Sequence, residues 1–295
     1  MNESVKKIGV IGAGVMGHGI AMAFAMNGYS VILIDVSEKL LNKAMEQIAD
    51  GRYGLQRLVE KGKISAGEKE RTLSRIKPTL DFSDLRSADL IIEAVPENIS
   101  IKGDILSRAG EMSKKEAIIA SNTSGIMISE LSKYVSVPER FLGMHWFNPP
   151  QIMKLIEIVR GPETSPGTVK TIEDLSRSIS KVPVVVNDSP GFFTTRFINA
   201  WLVEAYRQFE LGIAGIKEID TMSKLAFGFP MGPFELSDLI GLDTIMHISD
   251  YMYQETKNPA YAAPTVLKKL VHSGYIGKKP GSKGGWYDYY FPSEE

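Results

Sequence analysis

The sequence predicts an α/β chain: a doubly wound, mostly parallel sheet followed by a second, all-α domain. Three observations carry the prediction. Up to Asn187, short runs rich in Val and Ile alternate with longer helical ones, the pattern of a parallel sheet covered by helices. A glycine cluster joins the first such run to an apolar helix. After Asn187 the β-rich runs stop and only helical patterns remain. A length of 295 residues fits two domains.

The expected strands, in order, are Lys7–Ile11, Ser30–Ile34, Asp89–Val95, Ala117–Ser121, Phe141–Met144, Leu155–Val159 and Val182–Val186. Each is β-branched, short and bounded by turn residues, so each reads as a buried strand. From Ile8 to Ile34 no residue carries a full charge, a stretch long enough to span a bilayer. Six glycines (Gly9, Gly12, Gly14, Gly17, Gly19 and Gly28) interrupt it, and the turn-prone pair Asn27-Gly28 sits inside it. It therefore reads as strand, glycine turn, buried helix, turn and strand, with no membrane span expected. Residues 37–76 form a polar insert with helices expected at Lys39–Ala49 and Tyr53–Lys61, a solvated helical hairpin. Asp188-Ser189-Pro190-Gly191 reads as a helix start, a capping residue followed by Pro in the first turn. A long helix is expected over Phe192–Leu211, then Ile216–Phe227, Phe234–Tyr253 and Pro264–His272. Phe234–Tyr253 is apolar nearly all round and should be buried, in the domain or in a subunit interface. The domain boundary falls near 187, giving domains 1–187 and 188–295.

Composition narrows the chemistry. Lys plus Arg (34) against Asp plus Glu (35) leaves a net charge of −1, so no basic field is available to hold nucleic acid or an anionic membrane. There is no cysteine, which excludes disulfides, thiolate catalysis and Cys-ligated metals. A cysteine-free chain fits a reducing compartment, and a cytoplasmic protein is expected. No metal site is predicted. Imidazole chemistry is limited to His18, His145, His247 and His272.

Gly12-Ala13-Gly14-Val15-Met16-Gly17 matches G-x-G-x-x-G, a weak signal alone. Here it follows a strand and opens a helix, and the next strand ends in an acid, Asp35. Gly12 permits the tight turn, Gly14 lets backbone approach a pyrophosphate, and Gly17 lets helix and strand pack closely. The helix N-terminus then offers free N–H groups to the phosphates. Asp35 can accept from both ribose hydroxyls and would repel a 2′-phosphate, which favours NAD over NADP. The first domain is therefore expected to be Rossmann-type. Glu93 and Glu97 lie at the carboxyl end of a third strand, where ligands sit in open α/β sheets, but read equally well as loop acids.

Met144-His145-Trp146-Phe147-Asn148-Pro149-Pro150 ends a strand with a histidine, two aromatics and an asparagine. Glu157 lies inside the apolar strand Leu155-Ile156-Glu157-Ile158, where a carboxylate is costly without a partner. A His145–Glu157 pair answers that cost and yields a general base with its tautomer fixed. Ser121-Asn122-Thr123-Ser124-Gly125 follows another strand, and its hydroxyls suit either the same crevice or loop capping. His18 is expected on a helix surface, His247 in a helix and His272 at a helix end.

With these residues in view, the chain from Lys6 to Tyr289 resembles the L-3-hydroxyacyl-CoA dehydrogenase family, including 3-hydroxybutyryl-CoA dehydrogenases. The resemblance rests on Gly12–Gly17, Glu93–Asn98, Ser121–Ser124, His145–Pro149 with Met153-Lys154-Leu155 and Glu157, and Asp188-Ser189-Pro190-Gly191-Phe192. The run Met231–Asp243 and the Gly277–Tyr289 tail complete it. It implies an NAD-binding domain, a helical domain that dimerises, and a substrate cleft between them. His145 would be the catalytic base and Glu157 its partner, with Ser124 on the substrate oxygen and Asn148 beside cofactor and substrate. The cofactor site would comprise Gly12, Gly14, Val15, Met16, Gly17, Asp35, Glu97, Lys102, Ser124, Asn148 and Lys279. The polar insert would meet the CoA nucleotide through Arg57, Lys61 and Lys63. One departure stands out: where the family has an Asn–Arg pair after Pro-Gly-Phe, this chain has Thr195-Arg196. Threonine loses the amide's second donor and reaches less far toward the thioester.

The implied reaction oxidises an (S)-3-hydroxyacyl-CoA of short chain to the 3-ketoacyl-CoA with NAD, or runs in reverse, in a homodimer. Two alternatives remain. One is a dehydrogenase of free hydroxy or sugar acids on the same scaffold. The other is a non-catalytic NAD-binding paralogue.

Overall fold

The computed structural model describes residues 5–292. The chain divides into two compact units, Met1–Ser189 and Pro190–Glu295. The first unit holds β1 (Lys7–Ile11), α1 (Val15–Met26), β2 (Ser30–Ile34), α2 (Glu38–Asp50), α3 (Leu55–Glu60), α4 (Ala66–Ser74) and β3 (Ile76–Thr79). It continues with β4 (Leu90–Glu93), α5 (Ile99–Met112), β5 (Ile118–Ser121), α6 (Ile128–Ser132), β6 (Phe141–Trp146), β7 (Leu155–Arg160), α7 (Pro166–Ser178) and β8 (Val182–Asn187).

The eight strands form one sheet in the order β3-β2-β1-β4-β5-β6-β7-β8. All pairs from β3 to β6 are parallel, β7 runs antiparallel to β6, and β8 lies parallel to β7. The order reverses at β1, so the crevice outside the carboxyl ends of β1 and β4 is the switch point where ligands settle in such sheets. Alternation sorts side chains to two faces. Ile8, Val10, Ile92, Leu142, Met144 and Trp146 join one core with α1. Ile11, Ile91 and Leu85 pack on the other face. α1 is buried over most of its surface, including Gly17 and the run from Gly19 to Ala25, which accounts for the uncharged stretch from Ile8 to Ile34.

Every expected strand is present, while the insert and Asp188 depart from expectation. The insert is not a two-helix hairpin. A third helix, α4, follows, started by a capping box in which Ser65 and Glu68 exchange side-chain and backbone hydrogen bonds. The insert also ends in β3, an unforeseen strand with the sequence Ile-Lys-Pro-Thr. It pairs only with β2, and an edge is where a strand tolerates proline. Asp188 does not cap the helix that follows it. Its carboxylate accepts instead from Ile128 N and Ser129 N, both at 2.8 Å, and so caps α6.

The second unit is helical: α8 (Thr194–Glu210), α9 (Ile216–Phe227), α10 (Pro233–Ile240), α11 (Leu242–Thr256), α12 (Thr265–His272) and α13 (Trp286–Tyr290). Its core gathers Tyr206, Phe234 and Trp286, with the Trp286 ring centroid 4.9 Å from each of the other two. The expected single helix Phe234–Tyr253 is two helices. Gly241 breaks it at φ +106°, a value side-chain-bearing residues rarely adopt. Nor is that segment buried all round, since Leu239 is exposed.

Candidate active site

The glycine turn is built as its spacing suggests. Gly12 takes φ +100°, and its amide donates to Ile34 O at 2.8 Å, tying the turn to the end of β2. A Cβ on Gly17 would lie 1.6 Å from Gly12 O, so helix and turn are in direct contact there. A Cβ on Gly14 would meet nothing within 4 Å, which leaves its backbone open to a ligand. Gly14 is also the N-cap of α1, with no side-chain cap and no acid in the first turn. Open backbone, uncapped amides and absent negative charge suit a diphosphate. Asp35 accepts from Ala13 N and Val36 N, both at 2.6 Å, so its carboxylate shapes the turn. A carboxylate has about four acceptor positions, and ribose hydroxyls can use those that remain. His18 is partly buried rather than on the surface. Its Nδ1–H donates to Gly14 O at 2.8 Å, and burial lowers its basicity.

Next to the turn, the carboxyl ends of β4, β5 and β6 are bound together by buried polar groups. Lys102, only 1% exposed, donates to Glu93 Oε1 at 2.8 Å and lies 3.2 Å from Glu97 Oε2. Burial opposes its charge, but the two carboxylates outweigh burial and raise its basicity. Glu93 also accepts from Ser121 Oγ at 2.6 Å and Val95 N at 2.8 Å. Glu97 Oε1 accepts from Thr123 Oγ1 at 2.5 Å and Ser124 N at 2.9 Å. Asn122 Oδ1 accepts from Trp146 N at 2.9 Å, carrying the connection to the end of β6. The loop bearing Ser124 is thus held from both sides, and beside it the buried Lys102 and Glu93 charges compensate each other.

His145 and Glu157 are cross-strand partners in the β6–β7 register. By strand alternation they share the sheet face of Gly143, against which Ile128 of α6 packs, opposite the face of Met144 and Trp146. His145 Nδ1 lies 2.9 Å from Glu157 Oε2, with both residues buried. A carboxylate can only accept, so Nδ1 donates and Nε2 is the basic nitrogen. The Phe147 ring lies 4.4 Å from the imidazole, between centroids, and limits its rotation.

Other predicted residues fall into three groups. Asn148 is exposed on the turn after β6. Arg57 pairs with Glu60 at 2.9 Å on an exposed helix, and Lys61 and Lys63 are exposed beyond it. Thr195 lies in α8 and Lys279 in the second unit, where Lys279 donates to Asp243 Oδ1 at 2.5 Å and Thr244 Oγ1 at 2.7 Å. Lys102 is buried, with its ammonium group between the Glu93 and Glu97 carboxylates. Nothing in the sequence marks Lys181, a buried lysine before β8. The Glu93–Ser121 contact had one legible sign, a polar residue closing each of two neighbouring apolar strands. Among the described residues no cluster of His, Asp and Glu is arranged to hold a metal ion, and no helix is long and apolar enough to cross a membrane.

Residues 7–189 match the family model described as 3-hydroxyacyl-CoA dehydrogenase, NAD binding domain, and residues 191–289 match the corresponding C-terminal domain. The chain is 39% identical to 3-hydroxybutyryl-CoA dehydrogenase of Clostridioides difficile over 96% of its own length and 99% of the relative's. It is 38% identical to the mitochondrial hydroxyacyl-coenzyme A dehydrogenase of Sus scrofa, over 97% and 91% respectively. The crystal structure of (S)-3-hydroxybutyryl-CoA dehydrogenase from Ralstonia eutropha superposes with a TM-score of 0.90 at 38% identity, covering 95% of this chain and 98% of that one.

Proposed function

The chain belongs to the 3-hydroxyacyl-CoA dehydrogenase family and is an NAD-dependent oxidoreductase, and on that premise we propose that it interconverts short-chain (S)-3-hydroxyacyl-CoA and 3-ketoacyl-CoA thioesters. The observation that carries the proposal is the buried His145–Glu157 pair at the carboxyl end of β6. In the oxidative direction His145 Nε2 takes the C3 hydroxyl proton, and Glu157 steadies the imidazolium that forms. The hydride acceptor is supplied by bound NAD. The Ser124 hydroxyl, on a loop whose amide Glu97 holds, orients the substrate oxygen with Asn148. Gly12, Gly14, Val15, Met16 and Gly17 cradle the diphosphate, and Asp35 takes the adenosine ribose. Glu97, Lys102 and Lys279 complete the cofactor side, Lys102 by holding Glu97. Thr195 supports the thioester with one hydroxyl, and Arg57 and Lys61 meet the CoA nucleotide.

The apolar side of α9 supports a homodimer through the second unit, and the cysteine-free composition supports a cytoplasmic setting. The test is NADH oxidation with acetoacetyl-CoA and longer 3-ketoacyl-CoAs, run against free 3-keto acids. Turnover is expected with acetoacetyl-CoA and not with the free acids. Turnover with free acids alone, or with no acyl-CoA, overturns the proposal.

A further inference from the structure

The turn between β6 and β7, residues 147–153, carries Asn148 and follows directly from His145. Two features outside the reacting groups fix it. From below, Lys181, 8% exposed, donates from Nζ to Pro150 O at 2.6 Å and Met153 O at 2.7 Å. The same ammonium group lies 5.4 Å from the centre of the Trp146 ring. It makes no ion pair with a carboxylate among the described residues, so carbonyl dipoles and an aromatic face balance its charge. From the side, the turn presses on the cofactor helix α1 at Gly19. A Cβ there would lie 2.9 Å from Pro150 Cδ and Cγ and 2.6 Å from Gln151 Oε1. Trp146 also packs edge-on against Phe24 of α1, with ring centroids 5.6 Å apart. Helix, turn and the end of β6 therefore form one joint, with the Lys181 ammonium group buried against it.

We propose that Lys181 is a positioning residue for the reaction at His145: by clamping the Pro150 and Met153 carbonyls it holds the Asn148 turn against the cofactor helix. The inference rests on the dehydrogenase reading of His145 and Asn148. The Pro150 carbonyl is buried and the Met153 carbonyl part-buried where they meet Lys181, and a methionine or leucine at 181 would fill the space without supplying their donor. Burial lowers the basicity of Lys181, as expected for an ammonium group placed among dipoles. Freed, the turn shifts relative to α1, and a displacement of about 1 Å at a reacting group is worth about 100-fold in rate.

The test compares wild type, Lys181→Met, Lys181→Arg and Gly19→Ala by acetoacetyl-CoA reduction and by NADH titration. Lys181→Met is expected to lower kcat about 10- to 100-fold, with the Kd for NADH unchanged within about threefold and Lys181→Arg recovering part of the loss. Gly19→Ala, which favours the helix but pushes on Pro150, is expected to show the same split between kcat and NADH affinity. It decides the matter if Lys181→Met does not fold. Folded Lys181→Met with kcat within about twofold of wild type overturns the proposal, as does a Gly19→Ala loss confined to NADH affinity. Failure of the wild type to turn over an acyl-CoA overturns the dehydrogenase reading instead.

Discussion

Glu157 occupies a position where a carboxylate has no reason to be unless it acts on its neighbour. It is 1% exposed, its strand neighbours Ile156 and Ile158 belong to the core, and its cross-strand partner is His145. A buried carboxylate without a partner costs several kcal/mol, so Glu157 depends on the imidazole placed opposite it. Glu157→Gln keeps shape and an acceptor for Nδ1–H but removes the charge that steadies an imidazolium. We expect kcat for acetoacetyl-CoA reduction to fall about 100-fold or more, with NADH affinity unchanged. His145→Ala should lose about 100- to 10,000-fold in kcat while still binding NADH. Steady-state kinetics and fluorescence titration on the same preparations check both. This pair was legible in the sequence because an acid inside an apolar strand declares a need. Lys181 was not, because its needs are met by carbonyls of residues 150 and 153, which no residue type announces.

The elements differ in how their glycines and end residues act, and that difference separates folding from binding. Gly17→Ala places a Cβ on Gly12 O, so we expect loss of folded protein, visible as a lowered Tm. Gly14→Ala meets nothing in the chain, so its Tm should stay within a few degrees of wild type while NAD affinity falls at least about tenfold, by the close-approach argument. An equal loss of Tm in both variants would remove Gly14 from the cofactor site. Asp89, just before β4, pins the start of β1 by accepting from Lys6 N at 2.7 Å and Lys7 N at 2.9 Å, and it pairs with Lys114. Burial opposes its charge, but these donors outweigh burial and hold its carboxyl below the usual range. A depressed folded pKa gives stability that is present above the unfolded value near 3.8 and lost as pH falls through the folded value. Asp89→Asn should therefore cost about 1–3 kcal/mol at pH 7, and in urea titrations the cost should shrink as pH falls from the unfolded value through the lower folded one. Element boundaries show where sequence patterns stop informing. β1 and β2 match expectation at both ends. β3 was hidden because a four-residue edge strand with one buried apolar residue and a proline has no apolar run to show. α10 and α11 looked like one helix because apolar spacing continues across Gly241, and only the backbone angle breaks it.

At the scale of the whole molecule, hydrophobic runs show that a sheet exists but not which way its strands point. The reversal of β7 against β6 places Glu157 opposite His145, and the runs Phe141–Met144 and Leu155–Val159 would read the same if they were parallel. Exposed apolar surface is a second property the pattern concealed, since a stripe covered by a partner and a stripe covered by the same chain look alike in sequence. In α9 one side, Ile216, Ile219 and Ser223, is buried, while Met222, Leu225 and Phe227 are exposed, Leu225 to 83%. Leu211 and Ile213, just before α9, are also exposed. Scattered exposed leucines are ordinary, but five exposed large apolar residues within residues 211–227 are the kind of surface an interaction site uses. In a self-associating chain the same patch faces itself across a two-fold axis. A charge at its centre is then introduced twice and faces its own copy. We therefore expect wild type to sediment as a dimer at micromolar concentration and Leu225→Asp as a monomer. Because Leu225 makes no part of the helical core, Leu225→Asp should keep its helical circular dichroism and its NADH affinity. Light scattering behind size exclusion reads the mass directly. A Leu225→Asp protein that remains dimeric would exclude this face as the interface, and a monomeric wild type would exclude the homodimer itself.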